Sequence, residues 1–211
     1  MAKAIVLISG GIDSAVAAGL ALREGMELVA LHYSTVPFAD ERAEEKTRMV
    51  LRHLAKKFGV RIKLIVVPHG RALKEIAEKC ERRLNCVLCR RMMLRVASKI
   101  AESEKAGCLL SGESMGQVAS QTLSNLNAEA MPLSVPVVRP LLGMDKIEIE
   151  RIAKEFGTFE LSILPAACCS IPEKPATKAA REEAEAEEKK ICVTEIAENA
   201  AAEARVSWID A

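Results

Sequence analysis

The sequence predicts an α/β fold: a doubly wound, mostly parallel five-stranded sheet with helices on both faces. Three observations carry that expectation. Short apolar runs rich in β-branched residues alternate with longer segments of helical spacing, the pattern of βαβ units. Glycines 25, 59 and 157 follow the helical segments as C′ residues do. The first strand breaks directly into Ser-Gly-Gly before helical spacing resumes at Ser14, and ligands in parallel sheets sit beyond such strand ends.

Taken in order, residues 4–8 read as a buried strand, Ser9-Gly10-Gly11 as a tight loop, and the stretch from Ser14 to about Gly25 as a helix. A second strand follows at 27–33, and turn formers occupy 34–40. A helix over 41–58 buries Val50, Leu51, Leu54 and Phe58 on one face. Residues 60–67 alternate as a third strand that ends at Pro68-His69-Gly70, and a helix covers about 71–83. Met92, Met93, Val96 and Ile100 then form one apolar helical stripe. Arg90, Arg91 and Arg95 lie mostly off it, as a solvated face or a phosphate-facing patch.

Residues 108–111 make a fourth strand, leading into a polar, small-residue stretch at 112–122 that is the second candidate site. Glu113, at that corner, reads as a charge partner for a helix N-terminus. Residues 134–138 make the fifth strand, and Asp145 caps a helix that reaches Phe156. Residues 159–175 read as loop, 175–190 as an exposed charged helix, 194–204 as a weak helix, and Trp208 as the terminal anchor. The expected organisation is one domain at 1–175 with a helical extension at 176–211.

The loop carries the chemistry. Two consecutive glycines let the backbone turn with positive φ and approach a ligand closely, and the following helix aims its free N–H groups and positive dipole end at the loop. With the Ser9 and Ser14 hydroxyls as added donors, the corner is an anion socket suited to phosphate. Ser-Gly-Gly-Ile-Asp-Ser resembles the signature of PP-loop pyrophosphatases, which split ATP between its α- and β-phosphates. It is not a Walker A loop, because no Gly-Lys-Ser/Thr follows.

Composition narrows the classes. A net charge of +1 makes any polyanion contact local, and aromatic content of 3% argues against extended base-stacking platforms. No apolar run is long enough for a membrane span and no signal-peptide pattern opens the chain, so a cytoplasmic protein is expected. Seven cysteines there point to metal or redox chemistry rather than a disulfide framework. Cys80, Cys108 and Cys192 read as small buried residues. Cys86 and Cys89, with Cys168 or Cys169, read as a shared redox or metal group, three thiolates suiting an iron–sulfur cluster with one open iron.

The loop, Cys-Val-Leu-Cys-Arg-Arg-Met-Met, Gly-Glu-Ser-Met-Gly-Gln-Val-Ala-Ser-Gln-Thr-Leu-Ser-Asn-Leu and Arg-Pro-Leu-Leu-Gly-Met-Asp-Lys together resemble the PP-loop domain of the tRNA 4-thiouridine synthetase family, tRNA sulfurtransferases also linked to thiamine thiazole synthesis. The likeness covers about residues 3–190 and places the fold among adenine nucleotide alpha hydrolase-like proteins. It implies ATP-dependent activation of a uridine carbonyl in tRNA and its replacement by sulfur. It assigns ATP binding to Ser9, Gly10, Gly11, Asp13, Ser14, Gly112, Gln117 and Gln121, with Ser120 beside them. Asp13 would orient ATP or hold Mg²⁺, Asp145 and Lys146 would close the far side, and Cys168 would handle sulfur as a persulfide carrier or cluster ligand.

The family's ferredoxin-like, THUMP and rhodanese domains have no counterpart in these residues. tRNA is therefore expected to be held through a separate THUMP-type protein, with a persulfide or sulfide as sulfur donor and a homodimer left open. Two rival readings stand beside this one. An AMP-forming thiolation could act on a small molecule of a thiamine or other cofactor pathway, or the chain could be a non-catalytic adenine-nucleotide-binding module. Asp13 and Cys168 favour catalysis, and tRNA stimulation of ATP-to-AMP turnover separates the three.

Overall fold

The computed structural model describes residues 2–116, 121–165 and 175–211. Strands β1 (Lys3–Leu7), β2 (Glu27–Ser34), β3 (Ile62–Pro68), β4 (Cys108–Ser111), β5 (Val137–Val138) and β6 (Arg205–Ile209) form one sheet in the order β5-β4-β1-β2-β3-β6. The first five are parallel, and β6 runs antiparallel along β3. The chain winds outward from β1 to β2 and β3, then crosses back to β4 on β1's other side. The switch point lies between β1 and β4, where adjacent loops must part and leave a crevice.

Alternation along the strands builds two cores. Ile5, Leu7, Val29, Leu31, Ile65 and Val67 face helices α3 (Gly70–Lys79), α4 (Asn85–Glu104), α8 (Arg181–Glu188) and α9 (Val193–Ala202). Ala4, Val6, Ala30, Leu64 and Val66 face α1 (Ile12–Arg23), α2 (Arg42–Phe58) and α6 (Lys146–Phe156). β1 and β2 are apolar on both sides because both are covered. α6 starts where expected: Asp145 accepts from Glu148 N–H, and Glu148 returns a bond to the Asp145 N–H, a reciprocal capping box. Among the described residues no helix is long and apolar enough to cross a membrane.

Several expectations are corrected. The sheet has six strands, not five, because the tail adds β6, and its anchor is Ile209 rather than Trp208. Ile209 is buried, whereas Trp208 is half exposed with the Arg61 guanidinium 4.5 Å over its ring. β5 is only two residues long, since Pro136 and Pro140 flank it and lack N–H donors. The helix expected at 71–83 ends at Lys79, and Arg82–Leu84 forms a separate 3₁₀ turn. A short helix, α5 (Leu123–Glu129), forms where no element was assigned, and another, α7 (Phe159–Ser162), within the stretch read as loop.

The helix read as exposed at 175–190 is α8, and it buries Ala184 and Glu188. Glu188 explains the arginines. Arg91, 2% exposed, donates to Glu188 Oε2 at 2.8 Å and to Ala128 O at 2.6 Å, and Arg95 reaches the same carboxylate at 3.1 Å. These two are structural ties between α4 and α8, Arg91 buried and Arg95 partly exposed, and both are taken up by Glu188. Of the three cysteines read as small and buried, only Cys80 is so; Cys108 is half-buried and Cys192 exposed.

Candidate functional site

The crevice at the switch point is a cleft of about 260 Å³, lined by Ser9, Gly11, Asp13 and Ser14 from the β1–α1 corner, by Ser111, Gly112 and Glu113 after β4, and by His32, Tyr33, Arg90, Met93, Gln121 and Glu129. The corner is held by its own serines. Ser14 Oγ donates to Gly11 O at 3.0 Å and accepts from Ser9 N–H at 3.2 Å, while Ser9 Oγ accepts from Gly11 N–H at 3.3 Å. Gly10 takes φ +74°, and a Cβ there would lie 3.0 Å from Thr47 N. Gly11 is the N-cap of α1 and has no side chain to cap with, so the positive end of the helix faces the cleft uncovered.

Asp13 stands in that first turn, its Oδ1 3.5 Å from Lys146 Nζ at the start of α6. A half-exposed carboxylate beside an anion socket is a hard oxygen ligand of the kind Mg²⁺ takes together with phosphate oxygens. Across the cleft, Gln121 Oε1 accepts from Ser114 N–H at 3.3 Å, and Gly116 N–H donates to Gln121 O at 3.0 Å. The neighbouring residues do a different job. Thr122, Ser124 and Asn125 hydrogen-bond the backbone of residues 176–179, so this part of the stretch is a clasp for the chain entering α8.

The floor is ionic. Glu113, 4% exposed, pairs with Arg90 and accepts from Arg139 Nε at 2.6 Å; its partners are these arginines, not a helix N-terminus. Arg90 also donates to Ser111 Oγ at 2.9 Å. Glu129 lies 4.0 Å from Arg90 Nε, and burial raises its pKa against the opposing pull of Arg90, Arg139 and Arg91. On the other wall, His32 Nδ1 is 3.0 Å from Ile8 O; a carbonyl only accepts, so Nδ1 carries the proton, and burial lowers the pKa and keeps the ring neutral. Tyr33 donates to Met93 O at 2.5 Å.

Cys86 and Cys89 are the second and fifth residues of α4. Cys89 Sγ is 3.2 Å from His69 Nε2 and 4.0 Å from Met93 Sδ, which places it behind the wall made by Tyr33 and Met93. His69 is buried, and desolvation pulls its pKa down to about 4. Among the described residues no three His, Cys, Asp or Glu side chains are grouped to hold a metal. Gln117, Ser120, Cys168 and Cys169 lie outside the described residues. Sequence reasoning did not single out His32, Tyr33, Ser111 or Glu129, and no local pattern marks them: each is a lone residue on a strand or helix end.

A family model described as thiamine biosynthesis protein (ThiI) matches residues 1–193. A probable tRNA sulfurtransferase of Methanothermobacter thermautotrophicus is 41% identical over 199 residues, covering 93% of this chain and 51% of the relative. One of Caldanaerobacter subterraneus is 46% identical over 191 residues, covering 89% and 50%. The chain thus spans about half the length of the curated relatives it matches. A solved 4-thiouridine synthetase–RNA complex with bound ATP superposes with a TM-score of 0.94 at 38% identity, over 99% of this chain and 55% of that one. NMN synthetase from Francisella tularensis, at 13% identity and a TM-score of 0.56 over 95% and 84% of the two chains, shares the fold.

Proposed function

Because the chain belongs to the ThiI family, we propose that it is an ATP-dependent tRNA sulfurtransferase, which adenylates a uridine carbonyl and replaces its oxygen with sulfur. The observation that carries this reading is the uncapped first turn of α1 opening, with Asp13 and Ser14, into the same cleft as Gly112 and Gln121. The 4-thiouridine synthetase that shares this fold holds ATP and RNA in its complex. As O4 of uridine attacks the α-phosphorus, the uncapped first-turn amides of α1 and the Ser9 hydroxyl face the charge growing on departing pyrophosphate, an electrostatic role fixed before reaction, while Ser14 holds the corner in shape. Asp13 would hold Mg²⁺, whose charge would screen a triphosphate, and Lys146, 3.5 Å from Asp13 Oδ1, would close the same side.

Sulfur arrives from a persulfide or sulfide. Cys86 and Cys89 would supply two thiols for an iron–sulfur cluster and Cys168 or Cys169 the third; without a cluster, Cys168 would be the sulfur carrier. tRNA is gripped through a THUMP-type module. The family description favours a second reading, AMP-forming thiolation of a thiamine precursor.

The test is AMP and pyrophosphate formation with and without tRNA, with 4-thiouridine followed by nucleoside mass spectrometry. tRNA-stimulated turnover that disappears in Asp13→Asn supports the proposal, and turnover indifferent to tRNA selects the small-molecule reading. Cys89→Ser with unchanged iron, zinc and turnover removes the cluster.

A further inference from the structure

The adenylation proposed above obliges the cleft to dispose of a proton. When O4 of uracil bonds to the α-phosphorus, C4 becomes doubly bonded to N3 in the O-adenylyl product, so the hydrogen on N3 must leave. An imide N–H does not give up its proton freely at neutral pH, and a positioned acceptor accelerates such a step by about 10²–10⁴-fold.

Two carboxylates are buried in the cleft. Glu113 is committed, held by Arg90 and by Arg139 Nε at 2.6 Å. Glu129 is not: it ends α5 at 3% exposure, and its buried Oε2 accepts no hydrogen bond, the nearest cation being Arg90 Nε at 4.0 Å. A buried carboxylate oxygen without a donor is costly, and an orphan of this kind calls for a function. It also borders the same space as the phosphate-binding corner.

We propose that Glu129 is the general base that takes the N3 proton of the target uracil while O4 attacks the α-phosphate. The inference rests on the adenylation reading. The N3–H electron pair becomes the N3–C4 π bond, the C4–O4 π pair forms the O4–P bond, and the bond to the bridging oxygen breaks with its pair leaving on pyrophosphate. When sulfide adds at C4 and AMP departs with O4, Glu129 returns its proton to N3, and the proton of sulfide passes to solvent.

The groups facing Glu129 are Arg90 and Arg91 of α4 and Arg139 after β5, with Glu113 and Glu188 behind those arginines. Arg90 and Arg139 keep the site from turning into an isolated charge, and burial makes the carboxylate a stronger base than one in water.

The experiment compares the chain with Glu129→Gln, using ATP, Mg²⁺, sulfide and tRNA transcripts carrying either uridine or 5-fluorouridine, whose N3–H is more acidic. The expected result is unchanged ATP affinity, AMP formation lowered about 100-fold or more, loss of the acidic limb of the pH–rate profile, and a larger fractional gain from 5-fluorouridine in the variant than in the parent. A folded variant with nearly parental turnover, or with an equal loss on both transcripts, overturns the assignment. If Glu129→Gln does not fold, Glu129→Asp is judged by the same pH and 5-fluorouridine readouts. A parent chain that thiolates no tRNA fails the functional reading itself, a result distinct from an active parent indifferent to Glu129.

Discussion

Gly112 lies so close to the backbone of Asp13 that a Cβ at position 112 would fall 2.7 Å from Asp13 C, Asp13 O and Ser14 N. The loop after β4 is thereby seated directly on the first turn of α1, and the two halves of the cleft share one backbone contact.

Gly112→Ala should therefore force these loops apart. Overpacking against backbone atoms, which cannot rotate away, costs about 1–3 kcal/mol. Urea denaturation should show that loss, and calorimetry should show ATP affinity falling further than stability alone requires.

Glu188→Ala should be among the most damaging single changes outside the cleft. It leaves Arg91 buried without its carboxylate, a cost of about 3–5 kcal/mol readable from the denaturation midpoint. Pairing it with Arg91→Met should recover much of that loss, because the fully buried guanidinium goes with its carboxylate and the remaining partner, Arg95, is partly exposed to water.

Ser14→Ala removes the hydroxyl that ties Ser9 N–H to Gly11 O. Stability should drop by about 1 kcal/mol, and pyrophosphate, titrated calorimetrically, should bind more weakly because the corner is no longer held in its open form.

His69 sets a pH dependence. Its pKa is about 4 in the folded chain against the usual 6.5, so the unfolded chain takes up the proton first as pH falls. Its contribution is complete above about 6.5 and is lost as pH falls toward 4, in total about 3 kcal/mol. Stability measured across that window should decline less in His69→Gln than in the parent.

Much of the architecture is legible in the residues. Ile5 and Leu7 alternating against Ala4 and Val6, and Asp145 three residues before Glu148, declare a buried strand and a capped helix by local rules alone. β6 escaped because Arg205 to Ile209 is a tail of five residues whose strand character exists only through pairing with β3. Arg91 escaped because its partner Glu188 stands 97 residues away, and an arginine beside an apolar stripe looks the same in sequence whether it meets water or a carboxylate. Thr122, Ser124 and Asn125 looked like part of a ligand site because small polar residues serve a clasp as well as a binding loop.

What the sequence by itself determined is the strand, the glycine turn and the helix start from Ser9 to Ser14, since conformational freedom, hydroxyl donors and a free helix end are properties of consecutive residues. What only the tertiary structure decided is the ionic floor: Glu113 taken by two arginines and Glu129 left with an unbonded oxygen. Charge pairing at a distance depends on which elements the sheet brings to the switch point, and burial turns that placement into chemistry.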